Sequence, residues 1–331
     1  MAECPHFEYL MIIPRLCVQN ANAISSPLTH GFPAISAFLG LMWALERQTV
    51  ALGLDLQFNA VGVIAHRANE QSTKNQGFVN SFRLTRNPVD QGGSTAAIVE
   101  EGRIHLDLSL VFAVQSKALL EEVQREKVAT QVHDVVSRMR IAGGIIIPSH
   151  IATRRRIPWV VPFTGDRAGQ QTLFRQLKMR LLPGFALVER QDLLEKRHQQ
   201  LVATNSAASR LEAWLSLSRI NWSWHSEADN ADKGKWQHDR QGLGWTVPIP
   251  LGYGALTPLQ APGSVANARD QTTQFRFVES LYGIGQWVSP HRLQMPQQLL
   301  WYADNKPETG LYRCRNDFVP FQDDQFETDF S

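Results

Sequence analysis

RIHLDLSLVFAVQSKALLEEVQREKVATQVHDVVSRMRIAGGIII, residues 103–147, changes its hydrophobic period twice. Apolar and polar side chains alternate over 103–114, which predicts a strand with one buried face and one polar face. Apolar residues then recur at helical spacing over 128–139, and a second apolar run over 141–147 ends at Pro148. The segment therefore predicts a strand, a helix and another strand.

The residues before this segment predict the same order of elements. An apolar run over 9–13 predicts a strand, helical spacing over 33–48 predicts a helix with Pro33 in its first turn, and 58–66 predicts a second strand. The order β-α-β-β-α-β is that of the ferredoxin-like fold, which RNA-recognition modules share. We therefore expect an α+β protein whose residues 1–150 form a ferredoxin-like core.

Residues 67–102 form a long insertion between the second and third strands of this core. Hairpin loops have about 2 to 5 residues, so an insertion of this length is a protruding functional element or a disordered loop. Partial alternation over 78–86 favours an extended hairpin, or thumb.

The second half, residues 151–331, is less regular, and we expect a helical and irregular part packed on the core. The polar residues 223–241 predict a surface loop, the Pro- and Gly-rich residues 245–262 predict an irregular segment, and 296–302 predict a last helix. Leucines at helical spacing predict three further helices, at 173–181, 194–201 and 211–215. Most of the Trp residues are expected in the core.

The charge of the chain is unevenly distributed around its net value of +2. Residues 317–331 carry five acidic and no basic side chains, which leaves +7 on the rest, and we expect this acidic tail to be solvated. Residues 138–219 hold fourteen Lys and Arg against five Asp and Glu. Such a basic stretch indicates either a polyanion as partner or a solvated helical surface.

Several classes of protein are disfavoured by composition and motif. The longest nearly uncharged apolar stretch, 34–45, is shorter than the roughly 18 to 20 residues of a membrane span, so no membrane partner is expected. Three cysteines without metal-ligand spacing favour a reducing cytoplasm and no metal or cofactor. The sequence contains no GxxxxGK[ST], GxSxG, HExxH or complete GxGxxG motif, which argues against nucleotide hydrolysis, serine hydrolysis and zinc proteolysis.

The polar residues 14–33, PRLCVQNANAISSPLTHGFP, are candidates for binding a single-stranded nucleic acid. Their side chains donate and accept hydrogen bonds in the directions that bases, riboses and phosphates offer. A loop that satisfies its own backbone and caps the next helix is the alternative. The candidate contacts are Arg15, Gln19, Asn20, Asn22, Ser25, Ser26 and His30.

Arginines and glycines elsewhere extend this set. Arginine guanidinium groups pair with phosphates, and glycines allow a ligand to approach the backbone closely. The phosphate candidates are Arg83, Arg86, Arg138 and Arg140; the close-approach candidates are Gly143 and Gly144; weaker candidates are Arg276 and Arg292.

Most of the chain resembles a known family. The resemblance runs through 14–33 and through LTRNPVDQGGSTAAIVEEGR (84–103), RMRIAGG (138–144), RLLPGFALVER (180–190) and ARDQTTQFRFVESLYGIGQWVSPHR (268–292). These segments are similar to the Cas-five-type subunit, or second Csy subunit, of type I-F CRISPR surveillance (Csy, or Cascade) complexes. The loop 223–241 and the acidic tail depart from the family, so we attach no function to either.

The resemblance implies a ferredoxin-like protein of the RAMP superfamily that binds the 5′ handle of the CRISPR RNA. It further implies pairing with the large PAM-reading subunit, contact with the first backbone subunit, and target DNA beside the PAM as a further candidate contact. The chain would be a non-catalytic component of an antiviral ribonucleoprotein in the bacterial cytoplasm, and its thumb, 67–102, would reach over the guide.

Two other interpretations stay open. Some RAMP relatives cut repeat RNA without a metal ion, using His, Tyr or Lys as acid and base, and His30 with Tyr253 is a candidate pair. Alternatively, the polar loops bind the large subunit and the chain is a protein-only assembly scaffold.

Overall fold

The computed structural model describes residues 3–74, 80–82, 94, 101–227, 230–268 and 270–320. Over these residues the chain is a mixed α+β protein built on a large antiparallel sheet. Within this part of the chain, the helices are too short or too polar to cross a membrane.

The elements alternate between strands and helices in the first half, and strands dominate the end of the chain. In the first half they are β1 (Tyr9–Asn22), β2 (Ile24–Ser26), β3 (Thr29–His30), α1 (Ile35–Ala51), β4 (Gln57–Glu70), β5 (Ser72–Lys74), β6 (Asn80–Phe82), β7 (Arg103–Gln115), α2 (Glu122–Ser137), β8 (Arg140–Ile141), β9 (Gly144–Ile147) and β10 (Trp159–Pro162). In the second half they are α3 (Arg167–Arg180), β11 (Phe185–Glu189), α4 (Gln191–Thr204), α5 (Arg210–Leu217), β12 (Trp222–Glu227), β13 (Asn230–His238), β14 (Trp245–Ala255), β15 (Val278–Val288), β16 (Leu300–Lys306) and β17 (Leu311–Asn316).

The six elements expected in the first 150 residues are all present, as β1, α1, β4, β7, α2 and β9. The four strands lie side by side in the order β4, β7, β1, β9, and each neighbouring pair is antiparallel. The expected end of the first strand before Pro14 is wrong, because β1 continues to Asn22. The pairing of β1 with β7 shifts register at two places along this longer strand, and Arg15 and Asn20 take positive φ angles there.

Both faces of this sheet are covered over its middle. Met11 and Leu108 point into a core that α1 and α2 complete. Leu10 and Val111 point the other way, into a second core that includes Phe174 of α3. The alternation of side chains along each strand therefore serves two hydrophobic layers.

The second half of the chain continues the sheet from the outer edge of β4. Gly62 and Val61 of β4 pair with the start of β16, whereas Ile64 and Ala65 pair with β11. The strands β11, β15, β14, β17 and β16 are also hydrogen-bonded in that order. Together with β4 they form a ring of pairings that returns to its first strand.

The three helices expected from leucine spacing are present as α3, α4 and α5, but three other predictions for the second half are wrong. Most of the expected loop 223–241 is the hairpin β12–β13, and the first part of 245–262 is the strand β14. Residues 296–302 begin with one 3-10 turn, Pro296–Gln298, and then enter β16.

Local geometry explains why β14 hides its pattern. Pro248 and Pro250 lie where β14 pairs with β15, while its other neighbour, β17, begins pairing only at Gly252. A proline is tolerated where its missing N–H faces no partner strand. A Cβ on Gly285 of β15 would lie 2.9 Å from Ile249, so close packing accounts for the glycine there.

The hairpin β12–β13 exposes tryptophans that were expected in the core. Trp224 pairs directly with Trp236, and Trp222 pairs with His238, which places all four rings on one face. The exposed fractions of Trp222, Trp224 and Trp236 are 58%, 46% and 62%. Trp301, which is fully buried, follows the expectation.

The inserted segment 67–102 is described only in part. Strand β4 uses its first four residues, and β5 and β6 form a short antiparallel pair at its base. Phe82 of β6 packs against the core and touches the His30 ring edge to face. Most of the alternating stretch 78–86 lies outside the described residues, so the thumb stays a prediction.

Candidate nucleic-acid interface

One end of the sheet face opposite α1 and α2 is polar and open. Beyond Ser109, the side chains of β7 on this face are Asp107, His105 and Arg103, each partly exposed. Arg67 lies opposite Asp107, and Asn69 lies opposite His105, on β4. We call this surface the polar platform; its members are Cys17, Gln19, Arg67, Asn69, Arg103, His105 and Asp107.

A hydrogen-bonded cluster separates the polar platform from the buried part of the same face. The His66 ring donates from Nδ1 to the Pro183 carbonyl at 2.6 Å and accepts at Nε2 from the Ser109 hydroxyl at 2.7 Å. The Arg15 backbone N–H donates to the same hydroxyl at 3.0 Å. Burial is the main cause that lowers the pKa of His66 to about 4, and the Arg15 charge acts in the same direction, so the ring is neutral at pH 7.

Arg15 is fixed beside the platform with its charge only partly compensated. Its guanidinium donates to the Leu182 carbonyl at 2.9 Å. Burial lowers the pKa of Arg15, and the positive charge of Arg155 lowers it again. A bound anion would offset both effects on the pKa of Arg15. The surroundings of this guanidinium therefore favour a phosphate as its partner.

The other candidates in 14–33 divide into local contacts and exposed groups. The Asn22 side chain closes a turn with both backbone groups of Ile24, and Ser25 and Ser26 bond Thr29. These contacts fit the alternative of a segment that satisfies its own polar groups. Gln19 stays half-buried and Asn20 stays exposed at the platform's edge, where the Asn20 N–H donates to His105 Nδ1 at 3.2 Å.

The stretch 138–144 lies next to this edge and forms a tight hairpin. Ala142 and Gly143, between β8 and β9, both have positive φ angles, the geometry of a type I′ turn. A Cβ on Gly144 would lie 2.7 Å from backbone atoms of β1, so its close approach is to the chain itself. Arg138 and Arg140 remain exposed, and Asn22 bonds the Ala142 carbonyl, which joins this turn to the end of β1.

The remaining candidates are not gathered here. Arg83 and Arg86 lie outside the described residues. Arg276 donates to the Pro307 carbonyl at 3.2 Å on another part of the sheet, and Arg292 lines a separate pocket with Arg167.

Sequence reasoning missed two parts of the site. The alternation of side chains along β4 and β7 places Arg67, Asn69 and Arg103 on one face of the sheet. Residues 67–70, however, fall in the predicted insertion and not in a predicted strand. The second part is an aromatic cleft of about 480 Å³ beside the platform, with walls that include Phe185, Trp245 and Trp287. No local signal connects these rings, because they come from three separate strands.

The side chains of the site are of the kinds that contact nucleic acids in other proteins. The site combines arginines, amides and aromatic rings, which contact phosphates, base edges and base faces. His30 bonds Glu70 at 2.8 Å and lines the aromatic cleft, whereas Tyr253 stacks on Tyr312 and lines a different pocket. Over the described part of the chain, no three His, Cys, Asp or Glu side chains gather as metal ligands.

Comparison with known proteins points to one family. The family model described as "CRISPR-associated protein (Cas_Csy2)" matches residues 11–314. A curated relative from Pseudomonas aeruginosa (strain UCBPP-PA14), "CRISPR-associated protein Csy2", is 45% identical over 316 residues, which cover 92% of this chain and 94% of the relative.

Proposed function

The chain belongs to the Csy2 family of CRISPR-associated proteins, and we propose that it is a non-catalytic RNA-binding subunit of a type I-F surveillance complex. It binds the 5′ handle of the CRISPR RNA, pairs with the large PAM-reading subunit and caps the backbone filament beside its first subunit. We place it in the bacterial cytoplasm, in antiviral defence, with target DNA beside the PAM as a further contact.

The observation that carries the proposal is the polar platform. In RNA-recognition modules the sheet face opposite the helices binds single-stranded RNA. Among the described residues, α3 and its neighbours bury part of that face, and the end with Arg67, Arg103 and His105 stays accessible. This end offers an RNA handle a polar area of sheet to lie on, with Arg15 and Arg140 at its borders.

We also assign the first half to the ferredoxin-like RAMP fold. The element order and the strand order β4, β7, β1, β9 support this assignment, because they are those of a split β-α-β unit. In this assignment residues 1–150 are the RNA-binding core, 67–102 are the thumb that reaches over the guide, and 151–331 complete the sheet.

The test is co-expression of the chain with the large subunit and the host's CRISPR RNA. The platform variant carries Arg15→Ala and Arg67→Ala. The control variant carries Arg47→Ala and Lys127→Ala, which remove the same charge from exposed positions on α1 and α2. We expect wild type and control to co-purify intact RNA with its 5′ handle. The platform variant keeps the protein pair and loses most of the RNA.

Salt dependence gives the same test a number. Each neutralised phosphate contributes about −0.7 to the slope of log affinity against log salt for a single strand. The slope for the platform variant, which loses two such contacts, should therefore be less steep than that of the control by about 1.4. Equal slopes would refute the platform as the interface. Wild type without RNA would favour the scaffold, and cleavage of repeat RNA in chelator would favour the endoribonuclease.

A further inference from the structure

The aromatic cleft is an open apolar site that the described residues leave unfilled. Trp245 and Phe185 are 60% and 44% exposed, although they contact each other edge to face with ring centres 5.9 Å apart. Trp287 lies 6.1 Å from Trp245 at a tilt of 47°. Large aromatic side chains normally bury most of their area, so this exposed group offers stacking surface to a ligand.

The rim of the cleft is polar on the side of β4. Arg67, Asn69 and Glu70 all line it, and His30 approaches from β3. His30 Nδ1 lies 2.8 Å from Glu70 Oε1, which holds the carboxylate at the rim. An apolar body with a few convergent polar groups at one edge matches a planar, amphipathic ligand such as a nucleobase.

The cleft and the polar platform meet at the outer edge of β4, because Arg67 and Asn69 belong to the platform and also line the cleft, whereas Ile35 and Ile104 line it from the face that α1 covers. An RNA strand whose phosphates pair with arginines on the platform would reach the cleft where it turns over this edge. A base that leaves the stack at this point has aromatic faces beside it and hydrogen-bonding groups at its edge.

We propose that the cleft takes one unstacked base of the bound RNA, a base with an exocyclic amino group. The base stacks against Trp245, and its amino group donates to the Glu70 carboxylate. Uracil, which has no amino group, is disfavoured because its carbonyl oxygen would face that carboxylate. This inference rests on the proposed function, since it requires RNA on the platform.

The test uses the assembled complex and synthetic guide RNAs of the host repeat, in which the handle positions are made abasic one at a time. Stacking of one base contributes roughly 5- to 150-fold in affinity. We expect one handle position at which the abasic guide binds wild type at least about tenfold more weakly than the intact guide does. The Trp245→Ala variant should bind the intact guide with a similarly reduced affinity. Making that handle position abasic should then cause no further loss.

Trp222→Ala is the matched control, because this tryptophan is 58% exposed but lies on the hairpin β12–β13. Uridine at the sensitive position should also bind weakly to wild type, and Glu70→Gln should reduce that penalty because its amide can donate. RNA binding without any handle position coupled to Trp245 would overturn the base pocket and leave the proposed function standing. No RNA binding by wild type would overturn both. Loss of the large subunit in Trp245→Ala, with unchanged RNA affinity, would identify a protein-docking cleft instead.

Discussion

Replacing His66 with glutamine should remove a pH dependence of stability that the fold imposes. The pKa of His66 is about 4 in the folded chain against the ordinary histidine value of 6.5, with burial as the main cause. A proton on Nε2 would also displace the Ser109 hydroxyl, which donates to that atom. Below pH 6.5 the unfolded chain therefore binds a proton that the folded chain does not, and wild-type stability falls with falling pH.

The size of this effect follows from the two pKa values. At pH 5 the linkage costs wild type about 2 kcal/mol relative to pH 7.5, and by pH 4 it costs about 3 kcal/mol. Urea unfolding of wild type and His66→Gln at several pH values measures it, because the other titrating groups are common to both chains. The difference between their unfolding free energies should shrink by these amounts as the pH falls. Parallel pH profiles would show that His66 is not held neutral by this cluster.

Three other substitutions or measurements test separate features. Gly144→Ala should lower the free energy of unfolding by about 1–3 kcal/mol, since its Cβ would lie 2.7 Å from the β1 backbone; a Tm shift no larger than that of an exposed Ala substitution would contradict this. Arg313→Met should cost about 3–5 kcal/mol in urea unfolding, because it leaves the Glu189 carboxylate, 6% exposed, without its cation, and adding Glu189→Gln should recover part of that loss. Guide RNA on the platform should block maleimide labelling of Cys17 at alkaline pH, and RNase treatment should restore it; equal labelling with and without RNA would place the RNA elsewhere.

The first half of the fold was predictable because its signals are local. The alternation over 103–114 and the helical spacing over 128–139 each identify their own element. What could not be read was where β1 and β4 end. Both strands continue into polar residues, because one end of the sheet is open to solvent and no longer requires apolar side chains there.

The second half was poorly predicted because its strands depend on distant partners. β14 contains two prolines and reads as irregular, yet it pairs with β15 and β17 far along the chain. The aromatic part of the candidate site was not predicted for the same reason, since its residues also depend on distant strand partners. Arg15 and His30 stand out as polar residues in one segment, but the Phe185 and Trp245 rings meet only after the sheet has formed.

The ring of pairings through β4 has a consequence for synthesis of the chain. A ribosome that has released only the first half leaves the outer edge of β4 with unpaired backbone groups, flanked by the buried residues of the second hydrophobic core. The partner strand that includes Phe185 emerges later, and the one that begins at Leu300 emerges later still. A nascent chain, or one truncated before Leu300, thus carries an unpaired strand edge with which other chains can pair, so its soluble yield should depend on chaperone capacity and on the presence of residues 300–306.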